Sequence, residues 1–458
     1  MRPSLANLGF LFQISGFFIL PSLLYSLYLN ETEVFISLSL SGLIFFSLGF
    51  FLNALAERKR LNLRESCILL ILFFTLSPLI HSIPYLYLGI FNQSFPENLL
   101  NSYFESVSSI TTTGFSLLQG KRLPKSLVLQ RSLNKWVGGI GIVFILLSFF
   151  YPSRSLFHYG RIIGIEKLTS KYKKTFLIVL GIYLVFTLFF SVSLTYLGRE
   201  IFSSLILTLS TISTGGIEEI PSDPNFLLVL LLAMLSSSIS YSFFFNLLHK
   251  KVDLQTSEEV LTFFALLFLF SMVFWKVSKL SLLDSFFSVA SSLSSTGMNK
   301  NILSLNLPSQ IILIFCMLIG PCSLSVGGGI KISRVQLFLK TLISLPRIFF
   351  KREEIVISVG GKEFRMNDIL LNFLIITLFL LTPLLSSILF TFYGYSFFEG
   401  FFESTSALTT TGLSVINIST SFPNTLKLLL IFLMVFGRVE FIPFFLIFFK
   451  EKSAGGGI

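Results

Sequence analysis

Long apolar runs separated by short polar segments dominate this sequence. A helix needs about 20 predominantly apolar residues to cross the hydrocarbon core of a bilayer, and most of the runs reach that length. They predict ten membrane-spanning helices, at residues 8–29, 34–56, 67–90, 127–151, 175–197, 226–248, 260–275, 308–345, 369–393 and 423–449.

A second, shorter pattern recurs between these runs. The stretch at 104–115 combines apolar and hydroxyl-bearing residues, and related stretches occur at 205–216, 287–298 and 402–413. All contain Thr-Gly near their end, and each lies between two apolar runs. A fixed element in matched context predicts one architectural unit used repeatedly, here helix, short hairpin, helix. We therefore expect an N-terminal helix pair at 1–56 and four pore units at 57–152, 153–250, 251–348 and 349–458.

The repeated stretch suggests a cation filter. Glycine adopts backbone conformations that Thr disfavours, so carbonyls of consecutive residues can turn to one side. Rings of such carbonyls replace the water shell of a dehydrated ion in potassium channels. A single Ser/Thr/Gly run is more often a linker or helix cap, but four copies favour a filter. The predicted ion-binding residues are Thr112, Thr113, Gly114, Ser213, Thr214, Gly215, Ser295, Thr296, Gly297, Thr410, Thr411 and Gly412.

The composition mainly excludes classes of protein. With 53% hydrophobic residues, 12% charged residues and a mean hydropathy of +0.83, the chain falls outside the soluble class. It is predicted to be an all-α, multi-pass protein of the cell inner (cytoplasmic) membrane. The three cysteines give no disulfide framework or metal motif. The three histidines are scattered and no His/Asp/Ser constellation is visible, so we expect no enzyme.

Positive charge sets the predicted orientation. If residue 1 is cytoplasmic, the inside segments hold 23 of the 34 Lys and Arg residues, as the positive-inside rule requires. The repeated hairpins then open outward. The net charge of +11 therefore comes largely from the basic inside segments that set the orientation. No clustered basic surface indicates nucleic-acid binding.

Two features depart from plain spanning helices. Residues 320–329 hold one Pro and four Gly, which cannot comfortably continue a helix. Irregular backbone at membrane depth is tolerated where it lines a cavity or packs on protein, so we expect this break under the pore. A phosphate-binding loop is disfavoured, because no strand precedes it and the Gly-Lys-Ser/Thr ending is missing. Arg438 lies within the last span, and a charge there is a functional candidate or a structural pair.

These motifs together resemble the membrane subunit of the Trk/Ktr/HKT superfamily of potassium transporters. The matching features are the four units, the Gly-rich stretch after Trp136, the Gly-Gly-Gly-Ile-Lys at 327–331 and Gly437-Arg438. The N-terminal helix pair resembles the Trk branch. The second unit departs from the pattern at 236–240, where serines replace the expected small-residue cluster.

The resemblance implies K+ as the transported ion, held at filter carbonyls, with no cofactor in this chain. It also implies a homodimer and a cytosolic ring of nucleotide-binding regulatory subunits, for which the inside faces 153–174 and 333–365 are the expected docking surfaces. The resemblance implies an intramembrane gate formed by Gly320, Pro321, Cys322, Ser323, Gly327, Gly328, Gly329 and Lys331, with Arg438 directed toward it.

One alternative of a different class stays open at this point. Broken helices and internal repeats also mark ion-coupled secondary transporters that work by alternating access. Repeat orientation separates the two: transporter repeats often alternate in direction, whereas four hairpins of the same sense build one axial pore.

Overall fold

Helices form almost all of the regular structure, as the apolar runs predicted. The computed structural model describes residues 2–55, 61–118, 121–149, 172–216, 220, 223–249, 254–299, 302–351 and 356–448. The C-terminal tail and most of the inside segment 153–174 lie outside these residues. Within the described part, an N-terminal helical group is followed by four units of similar construction.

The N-terminal group consists of α1 (Arg2–Phe17), α2 (Leu20–Tyr28) and α3 (Thr32–Leu55). Helices α1 and α3 pack backbone against backbone. A Cβ placed on Gly9 would lie 2.6 Å from the carbonyl oxygen of Gly49. Small residues at such a crossing permit the close approach that stabilises helix pairs in a bilayer.

Each unit contains a long helix, a short helix, a loop and a second helix or helix pair. The first has α4 (Leu63–His81), α5 (Ile83–Tyr87), α6 (Phe95–Ile110) and α7 (Lys125–Phe149). The second has α8 (Tyr172–Tyr196), α9 (Ile201–Ile212), α10 (Pro224–Ser238) and α11 (Tyr241–Leu248). The third has α12 (Leu254–Ser278), α13 (Leu282–Leu293), a 3-10 turn (Ile302–Ser304), α14 (Leu307–Ile319) and α15 (Ile332–Lys351). The fourth has α16 (Met366–Thr391), α17 (Phe397–Leu408), α18 (Asn424–Val439) and α19 (Phe441–Phe448).

The short helices α6, α9, α13 and α17 are the first halves of the repeated stretches. Local sequence defines where two of them begin. The Ser281 hydroxyl accepts from the backbone N–H of Asp284 at 3.1 Å. Ser396 and Glu399 form a reciprocal capping box at the start of α17, which satisfies N–H groups that a helix start leaves free.

Besides the span 308–345, whose break was predicted, two predicted spans are interrupted. The segments 226–248 and 423–449 are each interrupted, and the helix pairs α10–α11 and α18–α19 turn by 90° at the break. The interruptions fall after Ser238 and at Glu440, whose φ is +66°. By length and composition, six described helices can cross a membrane, or eight if each bent pair counts as one span. The prediction of continuous helices over 226–248 and 423–449 was therefore wrong.

A short β-hairpin lies between α15 and α16 and was not predicted. Strand β1 (Val356–Val359) pairs antiparallel with β2 (Lys362–Arg365). The turn Gly360-Gly361 has positive φ at both residues, which glycine adopts without steric cost. The buried side chains of the hairpin form a small separate core with α15 and α16, made by Leu337, Ile357, Val359, Phe364 and Ile369.

Candidate functional site

The four repeated loops share one backbone pattern. At the same place in each loop, a backbone N–H donates to the carbonyl five residues earlier, at 2.8–2.9 Å. The residue before this donor has a positive φ of 50–57° in all four loops. The donors are Thr113, Gly215, Thr296 and Thr411, and the positive-φ residues are Thr112, Thr214, Ser295 and Thr410.

The structure shifts the alignment of the second loop by one residue. The glycine with positive φ after the donor is Gly114, Gly297 or Gly412 in three loops, and it is Gly216 in the second. Sequence alignment had instead paired Gly215 with Gly114. Gly215 takes the place of a threonine because the stem of Lys135 fills the side-chain space: a Cβ on Gly215 would lie 2.9 Å from Lys135 Cδ.

The four loops close into a ring in chain order. A Cβ on Gly114 would lie 2.6 Å from the Gly215 carbonyl oxygen, and one on Gly216 would lie 3.0 Å from that of Thr296. The same contact continues from Gly297 to the Thr411 carbonyl and from Gly412 back to the Thr113 carbonyl. Four equivalent carbonyls therefore surround one axis, and each approaches a glycine of the neighbouring loop.

Hydroxyl groups reinforce three of the loops. Side-chain oxygens two residues apart lie 2.6–2.9 Å from one another in the pairs Thr111–Thr113, Ser294–Thr296 and Thr409–Thr411. Within the described part of the chain, the buried hydroxyls of Thr112, Thr214 and Thr410 have no hydrogen-bond partner. These three residues are the ones with positive φ in their loops.

The C-terminal ends of α6, α9, α13 and α17 lead directly into the four loops. The last turn of a helix carries free carbonyls and the negative end of the helix dipole. Cations are favoured at such ends. Four such ends lead into one ring, an arrangement that favours a cation over an anion there.

Two buried carboxylates lie behind this ring, and sequence reasoning did not single them out. Glu105 accepts from the backbone N–H of Leu117 and from Arg131 at 3.0 Å. Glu403 holds the equivalent place in α17 and accepts from the N–H of Val415 at 2.7 Å. The signal was present, because both repeats contain Phe-Glu-Ser. Each carboxylate therefore connects its short helix to the segment that follows the loop.

The Gly-rich stretch after Trp136 positions α7 against the ring. A Cβ on Gly138 would collide with the carbonyl of Ile110, the last residue of α6. The Trp136 indole donates to Thr187 at 3.1 Å, and the Tyr183 hydroxyl donates to the Trp136 carbonyl at the same distance. In the fourth unit, Gly437 makes the same approach to the carbonyl of Leu408. Residues 138 and 437 are therefore structurally equivalent.

The break at 320–329 lies against the third and fourth loops. Its Gly328 N–H donates to the Ser295 hydroxyl at 2.7 Å. A Cβ on Gly327 would lie 2.6 Å from the Ser294 carbonyl, and one on Gly328 would lie 2.5 Å from the Thr410 hydroxyl. The break thus contacts the ring directly, and side chains at its glycines would prevent this approach.

Arg438 holds this break to the first unit. Its guanidinium donates to the carbonyl of Val326 at 2.9 Å, and to those of Gly138 and Gly139 at 2.7 and 2.8 Å. The side chain is 3% exposed. Glu440 is not its partner, because that carboxylate bonds Arg334 at 2.7 Å.

Further contacts brace the two ends of the break. The Lys331 ammonium donates to the Gly327 carbonyl, and the Cys322 N–H donates to the Ser238 carbonyl at 3.0 Å. The buried Glu259 of α12 accepts from the backbone N–H groups of Ser323 at 2.6 Å and Ser333 at 3.2 Å. Glu259 therefore joins the start of the break to the start of α15, and sequence reasoning missed it.

At its two ends the break folds back on itself. Gly320 and Gly329 both have positive φ, and a Cβ on Gly320 would lie 2.5 Å from the Gly328 carbonyl. The Ile332 N–H donates to the Pro321 carbonyl at 3.2 Å. All predicted gate residues thus come together in one segment beside the ring, with Arg438 reaching it from α18.

Comparison with known proteins gives a consistent result over the whole chain. Residues 258–455 match the family model described as TrkH, cation transport protein. The chain is 30% identical to an uncharacterised cation transporter of Methanocaldococcus jannaschii, covering 96% of this chain and 94% of that protein. It is 23% identical to the Trk system potassium uptake protein TrkG of Escherichia coli, covering 96% of each.

The fold agrees with these matches. The crystal structure of the potassium transporter TrkH from Vibrio parahaemolyticus superposes with a TM-score of 0.85 over 98% of each chain, at 21% identity. The family and the fold are both those of a multi-pass membrane transporter and not those of an enzyme. Both agree with the apolar helices of the structure. The chain belongs to the TrkH family of cation transport proteins.

Proposed function

We propose that this protein takes up K+ across the cytoplasmic membrane through the ring of four loops. The observation that carries the proposal is the closed succession of glycine-to-carbonyl contacts from Gly114 through Gly216, Gly297 and Gly412. Oxygen ligands around one axis can replace the water shell of a dehydrated cation. Relatives of this chain include potassium uptake proteins of Escherichia coli, which favours K+ as the ion.

The proposed ion-binding residues are the predicted ones with one addition. Gly216 joins the second loop, because it takes the place of the glycines of the other three. The remaining members are Thr112, Thr113, Gly114, Ser213, Thr214, Gly215, Ser295, Thr296, Gly297, Thr410, Thr411 and Gly412.

The second part of the proposal is that residues 320–329 gate the passage. The segment packs against Ser295 and Thr410 of the ring, and Arg438 ties it to Gly138 and Gly139. Packing that consists mostly of backbone and small side chains allows a second arrangement at small energetic difference. The charge of Arg438 also opposes a cation below the ring.

Regulation by a cytosolic nucleotide-binding partner and assembly as a homodimer complete the proposal. The partner rests on the resemblance to Trk-type membrane subunits. Its proposed docking surface within the described residues is α15 with the β-hairpin, which carries charged residues such as Lys340 and Lys362 on its accessible side. The competing function, alternating access with ion coupling, is disfavoured because the four loops follow one another around one axis in chain order.

The test is ion flux in proteoliposomes that contain purified protein. With K+ or Na+ as the only permeant cation, we expect K+ flux to exceed Na+ flux. The flux should continue without a gradient of a second ion. Strict dependence on a proton or sodium gradient would favour alternating access and would overturn the filter proposal.

A further inference from the structure

Lys135 lies directly behind the second loop of the ring. Its ammonium donates to the carbonyl oxygen of Gly216 at 3.0 Å, and the side chain is 4% exposed. Its aliphatic stem occupies the place that a side chain at residue 215 would need. The ammonium and stem therefore contact the two glycines that distinguish this loop from the others.

The contact breaks the symmetry of the ring. Gly216 corresponds to Gly114, Gly297 and Gly412 in the other loops. Since Gly138 and Gly437 make equivalent approaches to the ends of their short helices, the residue of the fourth unit that corresponds to Lys135 is Met434. The same place thus holds an ammonium in one unit and an uncharged thioether in another.

We propose that Lys135 sets the affinity of the ring for the transported cation, a role that rests on the function proposed above. An oxygen that accepts from an ammonium has less electron density to offer a cation. The positive charge of Lys135 also repels an ion at the ring, and this repulsion is strong because the site is buried. Both effects weaken binding at the level of Gly216.

Weakened binding has a use in a conducting site. Ions pass quickly only when binding is favourable enough for entry and weak enough for release. Lys135 weakens cation binding from behind the loop, and its side chain does not enter the passage. It sets the affinity of the ring and is distinct from Arg438, which contacts the break at 320–329.

The test compares Lys135→Met with the wild type. Methionine keeps most of the apolar stem against Gly215 and removes the charge. In proteoliposomes, we expect the apparent KM for K+ to fall about three- to tenfold, as expected for loss of one nearby buried charge, with a Vmax that is unchanged or lower. A merely structural role would lower Vmax or the K+ over Na+ preference and leave KM unchanged.

Lys427→Met is the matched control. Lys427 is a buried lysine, 1% exposed, whose ammonium donates to the Thr420 carbonyl at 2.7 Å, outside the ring. Its substitution should leave the KM for K+ unchanged. An equal fall in KM in both variants would show a general effect of removing buried positive charge and would overturn the assignment.

A binding measurement keeps the two proposals separable. A cation that binds the native state raises the unfolding temperature in proportion to its affinity. We expect KCl to stabilise Lys135→Met at a concentration about three- to tenfold lower than it stabilises the wild type. Equal midpoints would overturn the role of Lys135. A wild type that KCl and NaCl stabilise equally, and that conducts both equally, would instead count against the proposed K+ function.

Discussion

The guanidinium of Arg438 and the carbonyl of Val326 lie 2.9 Å apart, although 112 residues separate them in the chain. The same guanidinium reaches the carbonyls of Gly138 and Gly139. One charged side chain therefore connects the second helices of the first and fourth units with the break in the third. Carbonyls of an interrupted helix need donors at membrane depth, and a buried arginine needs acceptors. Each group satisfies the other.

Replacing Arg438 should loosen the break. A hydrogen bond to a charged group contributes about 1.5–3 kcal/mol, so losing even one of them from the closed arrangement raises the open population about tenfold. We expect Arg438→Ala to raise the resting K+ flux while the K+ over Na+ preference stays as in the wild type. The measurement is flux in proteoliposomes without any cytosolic partner.

Arg122→Ala serves as the control for Arg438→Ala, because Arg122 lies exposed before α7. It should conduct as the wild type does. An Arg438→Ala protein that is folded, by its gel-filtration profile, and whose resting flux equals that of the wild type would contradict the gate assignment.

A side chain at Gly114 should damage discrimination between ions. Gly114 has φ +91°, and a Cβ there would lie 2.6 Å from the Gly215 carbonyl oxygen. Gly114→Ser combines backbone strain of about 1–3 kcal/mol with displacement of a neighbouring carbonyl. We expect the ratio of K+ to Na+ flux to fall severalfold. Gly394→Ser is the matched control, because Gly394 has φ +84° but nothing lies near its Cβ position. An equal change in both variants would assign the effect to strain alone.

The pair Glu105–Arg131 should stabilise the first unit. Both groups are buried and lie 3.0 Å apart, and breaking such a pair costs about 3–5 kcal/mol because a charge is left uncompensated. Glu105→Gln should therefore lower the unfolding temperature in detergent. The exposed pair Lys125–Glu200, at 3.6 Å, provides the control. Lys125→Gln should change the unfolding temperature little, since exposed pairs contribute about 0–1 kcal/mol.

A double variant sharpens this prediction. Glu105→Gln combined with Arg131→Met removes both charges, so no buried charge remains unpaired. It should unfold at a higher temperature than Glu105→Gln alone. If the double variant were the less stable of the two, charge pairing would not explain the contribution of Glu105.

The close approach at Gly437 should tolerate no side chain. A Cβ there would collide with the Leu408 carbonyl, and overpacking of this kind costs about 1–3 kcal/mol. Gly437→Ala should lower the unfolding temperature. Gly181, inside α8, has nothing near its Cβ position. Because alanine favours helix over glycine, Gly181→Ala should leave stability equal or raise it. Equal effects at the two positions would show that the α17–α18 approach is not a tight contact.

The local sequence pattern was sufficient to predict much of the structure of this protein. Apolar runs dictated the helices, because backbone polar groups in a bilayer must be satisfied within a segment. The repeats dictated the units, and glycine positions marked three of the four loops and the break at 320–329. The residues around Trp136, Gly327 and Gly437 carried the resemblance to the family.

Tertiary structure decided what depends on distant neighbours. Gly215 stands where the other loops have a threonine, and only the folded chain shows that Lys135, 80 residues earlier, fills the side-chain space there. The break after Ser238 carries no Gly or Pro that would mark it in the sequence. The contacts of Arg438 with Gly138 and of Glu259 with Ser323 join units far apart in the chain. Local pattern sets which residues can form a helix or turn, but such partners are chosen only when the units pack.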